Sequence, residues 1–217
     1  MEQRRAILAA QAYIPVKSLI STTGKAYIEL NRKFNSKHRY VFEANFTNCT
    51  KNQLMFYGCR GQNTYYPINS SFTYISDWRP IFYGGTTLGS SVTGQTMESL
   101  QSTWNEWQHI EIKVFTGVFT ITNSGGTHTN VPGSSMQTQL EFESTETPVL
   151  FNCSRPSGRN FATCPCAIRL YKEYDANDQL ITDLRPYKRM SDGKLGMLDL
   201  VTKTFFPDET SDLAIWN

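Results

Sequence analysis

Over Arg39–Phe46 the chain alternates, with Tyr40, Phe42, Ala44 and Phe46 on one side of an extended backbone and Arg39, Glu43 and Asn45 on the other. Residues 109–115 repeat the pattern, Ile110, Ile112 and Val114 opposing His109, Glu111 and Lys113. A hydrophobic period of two marks a strand with one face buried. Shorter apolar runs at 54–59, 118–122, 139–142 and 149–152 predict further strands, and Phe115-Thr116-Gly117-Val118 predicts a tight hairpin between two of them. The last quarter, residues 167–206, is a series of strand-length runs broken at 175–178, at Ser191-Asp192-Gly193 and at 201–203. Asp-Gly between alternating runs favours a hairpin, because glycine reaches positive φ without a Cβ clash. Three successive reversals predict an antiparallel meander. Residues 1–11 differ, with helix-forming composition and only Ile7 and Leu8 as large apolar contacts, so a helix there needs something to dock on; Pro15 stops it. Two segments read as long loops, the Gly/Ser/Thr-rich stretch 84–102 and the stretch 123–135. No repeat, heptad or interdomain linker is visible.

Composition narrows this picture. A chain of 217 residues suits one β-sandwich, with 13% aromatic and 18% charged residues favouring a packed sheet protein over disorder. A formal charge of +2 is too small to point to nucleic acid. The basic pairs Arg4-Arg5 and Lys188-Arg189 read as solvated surface. Five cysteines (Cys49, Cys59, Cys153, Cys164 and Cys166) leave at least one thiol unpaired, and none shows C-x-x-C spacing. The expectation is buried thiols in a protein assembled in reducing cytoplasm. Sequons at Asn45, Asn48, Asn69 and Asn152 carry no glycosylation signal without a secretory segment. The apolar stretch after Arg4-Arg5 is shorter than a signal-peptide core, and no run is long enough for a membrane helix, so membrane insertion is not expected.

The C-terminal quarter resembles the end of the concanavalin A-like (laminin-G-like) jelly-roll domains of bacteriophage tail and head-fibre proteins. The resemblance is carried by Leu170, Tyr171, Tyr174, Asp175, Leu180, Asp183, Pro186, Arg189, Ser191, Asp192, Gly193, Gly196, Asp199, Leu200, Val201 and Phe205. The entry of these domains resembles residues 20–28, Ile-Ser-Thr-Thr-Gly-Lys-Ala-Tyr-Ile, and Trp107-Gln108-His109-Ile110 is similar to a strand common in laminin-G-like domains. Residues 60–105 align with nothing in the family. The resemblance implies an all-β, two-sheet antiparallel jelly-roll sandwich over residues 15–217, with a short N-terminal helical arm over 1–14. It implies a non-enzymatic virion structural protein of tail or head, assembled in the host bacterial cytoplasm. That protein would bind carbohydrate or a host surface. The arm, through Arg4, Arg5, Ile7 and Leu8, would dock on other virion proteins or oligomerise. Phage fibres are commonly trimeric, which makes a homotrimer the expectation. Alternatives are a purely structural decoration protein, a lectin-like module of a gut bacterium, and a glycoside hydrolase.

The fold also carries glucanases, which makes the acids worth testing. Their E-x-D-x-x-E strand places alternate carboxylates on one face, as retaining hydrolysis requires. Here the nearest string is Glu141-Phe142-Glu143-Ser144-Thr145-Glu146, with a central Glu and the third acid offset, and it reads as a solvated edge. His38, His109 and His128 are scattered, Ser154 lacks a nucleophile context, and Asp192, Asp199 and Asp208 read as turn residues, not a calcium set. No cofactor or metal is called for. Binding fits better. Aromatic rings and Arg are the usual contacts for sugar C–H faces and for protein hot spots. The candidates are Tyr65, Tyr66, Trp78, Arg79 and Trp104, in the segment that aligns with nothing; Trp107 and Trp216 read as packing residues.

Overall fold

The turn chemistry at the end of the chain produces the expected meander. The computed structural model describes residues 12–47, 54–59, 70–76, 79–85, 95–96, 105–130, 141–144, 146–155, 158–160 and 165–217. Nineteen strands lie within them. The first eight are β1 (Tyr13–Pro15), β2 (Leu19–Ser21), β3 (Ile28–Glu29), β4 (Arg39–Phe46), β5 (Leu54–Cys59), β6 (Ser70–Ser76), β7 (Arg79–Gly85) and β8 (Gln95–Thr96). Then come β9 (Trp107–Lys113), β10 (Val118–Asn123), β11 (Gly126–Asn130), β12 (Val149–Leu150), β13 (Cys153–Arg155) and β14 (Gly158–Asn160). The meander itself is β15 (Cys166–Tyr174), β16 (Leu180–Arg189), β17 (Leu195–Asp199) and β18 (Phe205–Pro207), and β19 (Leu213–Ile215) closes the chain. One sheet runs β11-β10-β9-β4-β15-β16-β17-β18, with β1 on β16 and β2 joining β15 to β19. The other runs β14-β13-β5-β6-β7-β8, with β12 joining β3 to β5. Pairing is antiparallel except for one parallel contact between Ser154 and Cys59. The result is an all-β sandwich of two sheets.

Alternation decides which residues face the second sheet. On β4, Tyr40, Phe42, Ala44 and Phe46 are fully buried, as the sequence pattern requires, and Ile110 and Ile112 of β9 lie beside them. Their partners across the sandwich are Phe56 and Tyr57 of β5. Phe42 meets Phe56 edge-on at 5.4 Å and Tyr57 at 4.9 Å, Phe46 meets Phe56 at 5.3 Å, and Tyr171 of β15 meets Tyr57 at 5.7 Å. Edge and tilted geometries set ring hydrogens against ring faces, adding about 1 kcal/mol per pair to the burial itself. Tyr40 keeps its hydroxyl satisfied in this interior by donating to Asn35 O at 2.8 Å and accepting from Asn35 N at 2.8 Å.

Four aspartates knit the ends of the chain, and three of the four are explained by the turns that the sequence assigned them. Asp192 takes a two-point contact from Arg189 (3.0 and 2.6 Å), beside Gly193 at φ 73°. Asp199, buried, accepts from Val201 N, Thr202 Oγ and, across the sheet, Asp183 N. Asp208, also buried, accepts from Thr210 N and Leu213 N. The second glycine of the 191–196 motif has a steric reason: a Cβ on Gly196 would lie 2.2 Å from Phe206 O, inside the β17–β18 pair.

The fourth, Asp212, explains the entry motif. Its carboxylate accepts from Ser21 Oγ (2.8 Å), Thr22 Oγ (3.1 Å), Thr23 N (3.2 Å), Lys25 N (3.3 Å) and Ala26 N (3.1 Å). Gly24, at φ 76°, lets the loop curl so that successive N–H groups converge on one side chain. The loop therefore pins β2 to the β18–β19 connection.

Five expectations are corrected. Residues 123–135 are not a single loop: Gly126–Asn130 is β11, paired with β10, and Thr127 and Thr129 meet Thr122 and Thr120 across the ladder at 3.0 and 3.4 Å. β-Branched side chains and the Asn123 side chain, which accepts from Gly125 N at 2.9 Å, turn the stretch into a hairpin. In 84–102, Gly84 and Gly85 end β7, and Gln95–Thr96 pairs with Ile81 and Phe82. No strand spans the described part of 139–142; this segment is held by Phe142 N donating to Ser36 Oγ and by one bridge between Asn35 and Glu143. The run 149–152 breaks after Leu150, because Phe151 takes φ 66° while its N donates to Phe56 O at 2.7 Å. Residues 1–11 lie outside the described residues; Tyr13 and Ile14, which the sequence placed in the arm, pair with Arg189 and Lys188 as strand.

Burial works against the Asp212 charge, yet the bonds from Thr23, Ser21 and Thr22 outweigh it and hold its pKa below the ordinary 3.8. A depressed carboxylate stabilises the fold above its unfolded pKa, and the contribution is lost as pH falls through the lower folded value. Asp212→Asn should therefore cost about 2 kcal/mol near neutrality, the loss of its part-buried, charge-assisted bonds from Ser21 Oγ and Ala26 N. Urea melts across the acid range should show that gap closing only below the ordinary carboxylate pKa; a gap unchanged at low pH would contradict the assignment.

Candidate functional site

At one end of the larger sheet three connections converge. Arg39, the first residue of β4, is paired with Lys113 at the end of β9 and with Tyr174 at the end of β15. The turn before β4, the β9–β10 hairpin and the β15–β16 turn therefore share one rim. The hairpin is the tight one expected, Gly117 at φ 69° donating its N–H to Val114 O at 3.0 Å. In the other turn Asp175 Oδ1 accepts from Asn177 N (2.8 Å) and Gln179 N (2.9 Å), and Asp178 takes φ 62°, a conformation that Asp tolerates better than most residues. Between them opens a cleft of about 230 Å³, lined by Lys37, His38, Arg39, Lys113, Phe115, Thr116, Asp175, Ala176 and Asp178.

The charges around this cleft are matched locally. Lys37 Nζ lies 2.6 Å from Glu141, Arg39 Nη2 2.6 Å from Asp178, and Lys113 Nζ 2.8 Å from Glu111. Arg39 also stacks its guanidinium 3.7 Å from the centre of the Tyr174 ring. Partial burial works against the Arg39 charge, but its bond to Asp178 and the field of Glu111 outweigh this and raise its pKa. The rim is thus a set of fixed donors and acceptors with little net charge.

Behind it stands a buried acid. Glu173 is two residues after Tyr171 on β15, so both side chains point into the sandwich, and it is almost fully buried. Its carboxylate is met by His38 Nδ1 at 2.6 Å and, more loosely, by the Tyr171 hydroxyl at 3.4 Å. Burial first, and after it the neighbouring phenols and the Glu173 charge, push the Tyr40, Tyr57 and Tyr171 hydroxyls well above their ordinary pKa. These phenols stay protonated. The Glu173 contact fixes the orientation of the His38 ring, as an acid does for a histidine whose other nitrogen must act. His38 also lines the cleft.

The other site candidates fare differently. Tyr65, Tyr66, Trp78 and Trp104 lie outside the described residues, as do Arg4, Arg5, Ile7 and Leu8. Arg79 opens β7, paired with Ser76 at the end of β6. Trp107 and Trp216 pack on each other with centroids 5.6 Å apart; Arg169 lies 4.3 Å over Trp107 and bonds Glu43 at 2.5 Å. Glu141 and Glu143 are exposed, Glu141 in its pair with Lys37. His109 is exposed on β9. Cys59 and Cys166 are buried thiols, burial raising Cys166 to about 12. Cys153 lies in β13, while Cys49 and Cys164 are outside the described residues. Among the described residues no His/Cys/Asp/Glu group is arranged to hold a metal ion.

Sequence reading does not single out His38, Glu173 or the 175–178 turn as a site. The local signal is present in Lys37-His38-Arg39 at the start of a strongly alternating strand, but the strand pairing that brings Asp178 and Phe115 to it is long-range. No protein-family model matches the chain, and no curated protein matches it.

Removing His38 strands a buried carboxylate, at a cost of about 3 kcal/mol. His38→Ala should therefore destabilise strongly in equilibrium denaturation, and His38→Ala combined with Glu173→Gln should be more stable than His38→Ala alone. Simple addition of two losses would show that the pair is not coupled.

Proposed function

We propose that this chain is a non-enzymatic bacteriophage virion component, a fibre or decoration domain of tail or head, and that it binds carbohydrate on a host surface. The reading takes the sandwich as a concanavalin A-like jelly roll carrying a short N-terminal helical arm. Through that arm it docks on other virion proteins or forms a homo-oligomer, a trimer by analogy with fibres. Its virion placement is supported by the 167–206 stretch, in which the Ser191-Asp192-Gly193 turn, Gly196 and Asp199 each have a structural task that the resembling domains would share.

Binding is supported by one observation above the rest, the rim cleft. It combines an aromatic wall with ion-paired donors and acceptors on short turns between rigid strands. The enzymatic alternative has weaker support. Retaining hydrolysis needs two carboxylates flanking one bond, one of them held protonated, and Glu141 and Glu143 are exposed, Glu141 against Lys37.

Mass spectrometry of purified particles from the host strain should find this chain at structural stoichiometry, and the purified protein should bind isolated host envelope polysaccharide. Absence from particles would contradict the virion assignment. Release of reducing sugar from the polysaccharide, abolished by Glu141→Gln or Glu143→Gln, would replace binding with hydrolysis.

A further inference from the structure

We infer that the rim cleft between the β4, β9–β10 and β15–β16 ends holds a single neutral sugar ring. The inference rests on the carbohydrate-binding reading and gives it a place and a ligand class. Size sets the first limit: about 230 Å³ is below the roughly 300–1,000 Å³ typical of drug-sized ligand pockets, so one ring fits and an extended oligosaccharide continues outside.

Charge sets the second. Lys37, Arg39 and Lys113 each already have a carboxylate partner, at 2.6, 2.6 and 2.8 Å. A phosphate or sulfate would have to share these cations with Asp178, Glu111 and Glu141, whose negative charges repel it. An amino acid zwitterion meets the same competition for its carboxylate, and its ammonium competes with Lys37, Arg39 and Lys113 for the acids. A hydroxyl group has no such conflict, since it donates and accepts at once.

The remaining valences suit adjacent hydroxyls. Asp178 Oδ1 receives both Arg39 contacts and Asp175 Oδ1 caps its own turn, which leaves the Oδ2 atoms as acceptors. His38 Nδ1 is held by Glu173, so Nε2 is the ring nitrogen left to a ligand, with its orientation set from behind. The lysine ammonium groups keep protons beyond those facing their acids and can donate to hydroxyl oxygens. Phe115 and the Ala176 methyl supply the apolar wall that a sugar's C–H face needs.

The test is a titration of the ¹⁵N-labelled full chain followed by amide shifts. Glucose, galactose, mannose, N-acetylglucosamine and rhamnose serve as neutral probes, and sodium phosphate and sodium sulfate as anions. At least one neutral sugar should shift the amides of residues 37–39, Thr116 and 176–178. Asp178→Asn should weaken that binding by about tenfold or more, the loss of one charge-assisted bond. Ala176→Trp should abolish it by filling the cleft while leaving every polar group in place, with thermal melts confirming the fold of both variants. Sugar shifts confined to residues 65–104 and insensitive to Ala176→Trp would overturn the cleft assignment and leave the carbohydrate reading standing. Shifts at the cleft with phosphate or sulfate alone would overturn the ligand class. No shift with any sugar would overturn the assignment and count against the reading beneath it.

Discussion

Rings from two sheets meet in one seam: Phe42 and Phe46 of β4 and Tyr171 of β15 against Phe56 and Tyr57 of β5. The rest of the described structure takes its position from this contact. It fixes which face of β4 and β15 turns inward, and a one-residue slip would carry every ring to the opposite side. The next inward position of β15 is fixed with it. Glu173 lies two residues beyond Tyr171, so the seam ends in a carboxylate that cannot reach water and must be met by His38. His38 in turn lines the rim cleft, and thus the packing of the interior sets the orientation of a side chain at the surface.

A second layer of constraint comes from carboxylates used as clamps. Asp199 and Asp208 close their own turns, and Asp199 also reaches Asp183 N on the neighbouring strand. Asp212 gathers the residues 21–26 loop from the far end of the sequence. Each replaces water around a charge with fixed backbone dipoles, which suits loops that must be short and rigid between strands. The same device appears at the rim, where Asp175 shapes the turn that presents Asp178 to Arg39.

Where a pattern is local, it is legible in the sequence. The alternation of β4 and β9, the tight turn at Gly117 and the three reversals of the meander all derive from period, glycine and Asp-Gly chemistry. The β10–β11 hairpin escapes such a reading because its second strand is made of Thr, His, Gly and Asn, residues whose stabilisation comes from cross-strand Thr pairs that composition does not reveal. The reason for the Ser21-Thr22-Thr23-Gly24 motif is equally hidden, since its partner Asp212 stands about 190 residues away in sequence. The cleft is hidden for the same cause. Its members come from three connections that only the sheet register brings together. The aromatic candidates belong to turn-like sequence elsewhere.

If the seam unites both sheets, they should open only together. Native-state hydrogen exchange measures this residue by residue. The amides of Phe42, Tyr57 and Tyr171 are predicted to exchange with one common free energy equal to that of global unfolding. Exchange at Tyr57 through a separate opening, with β4 and β15 still protected, would contradict the account.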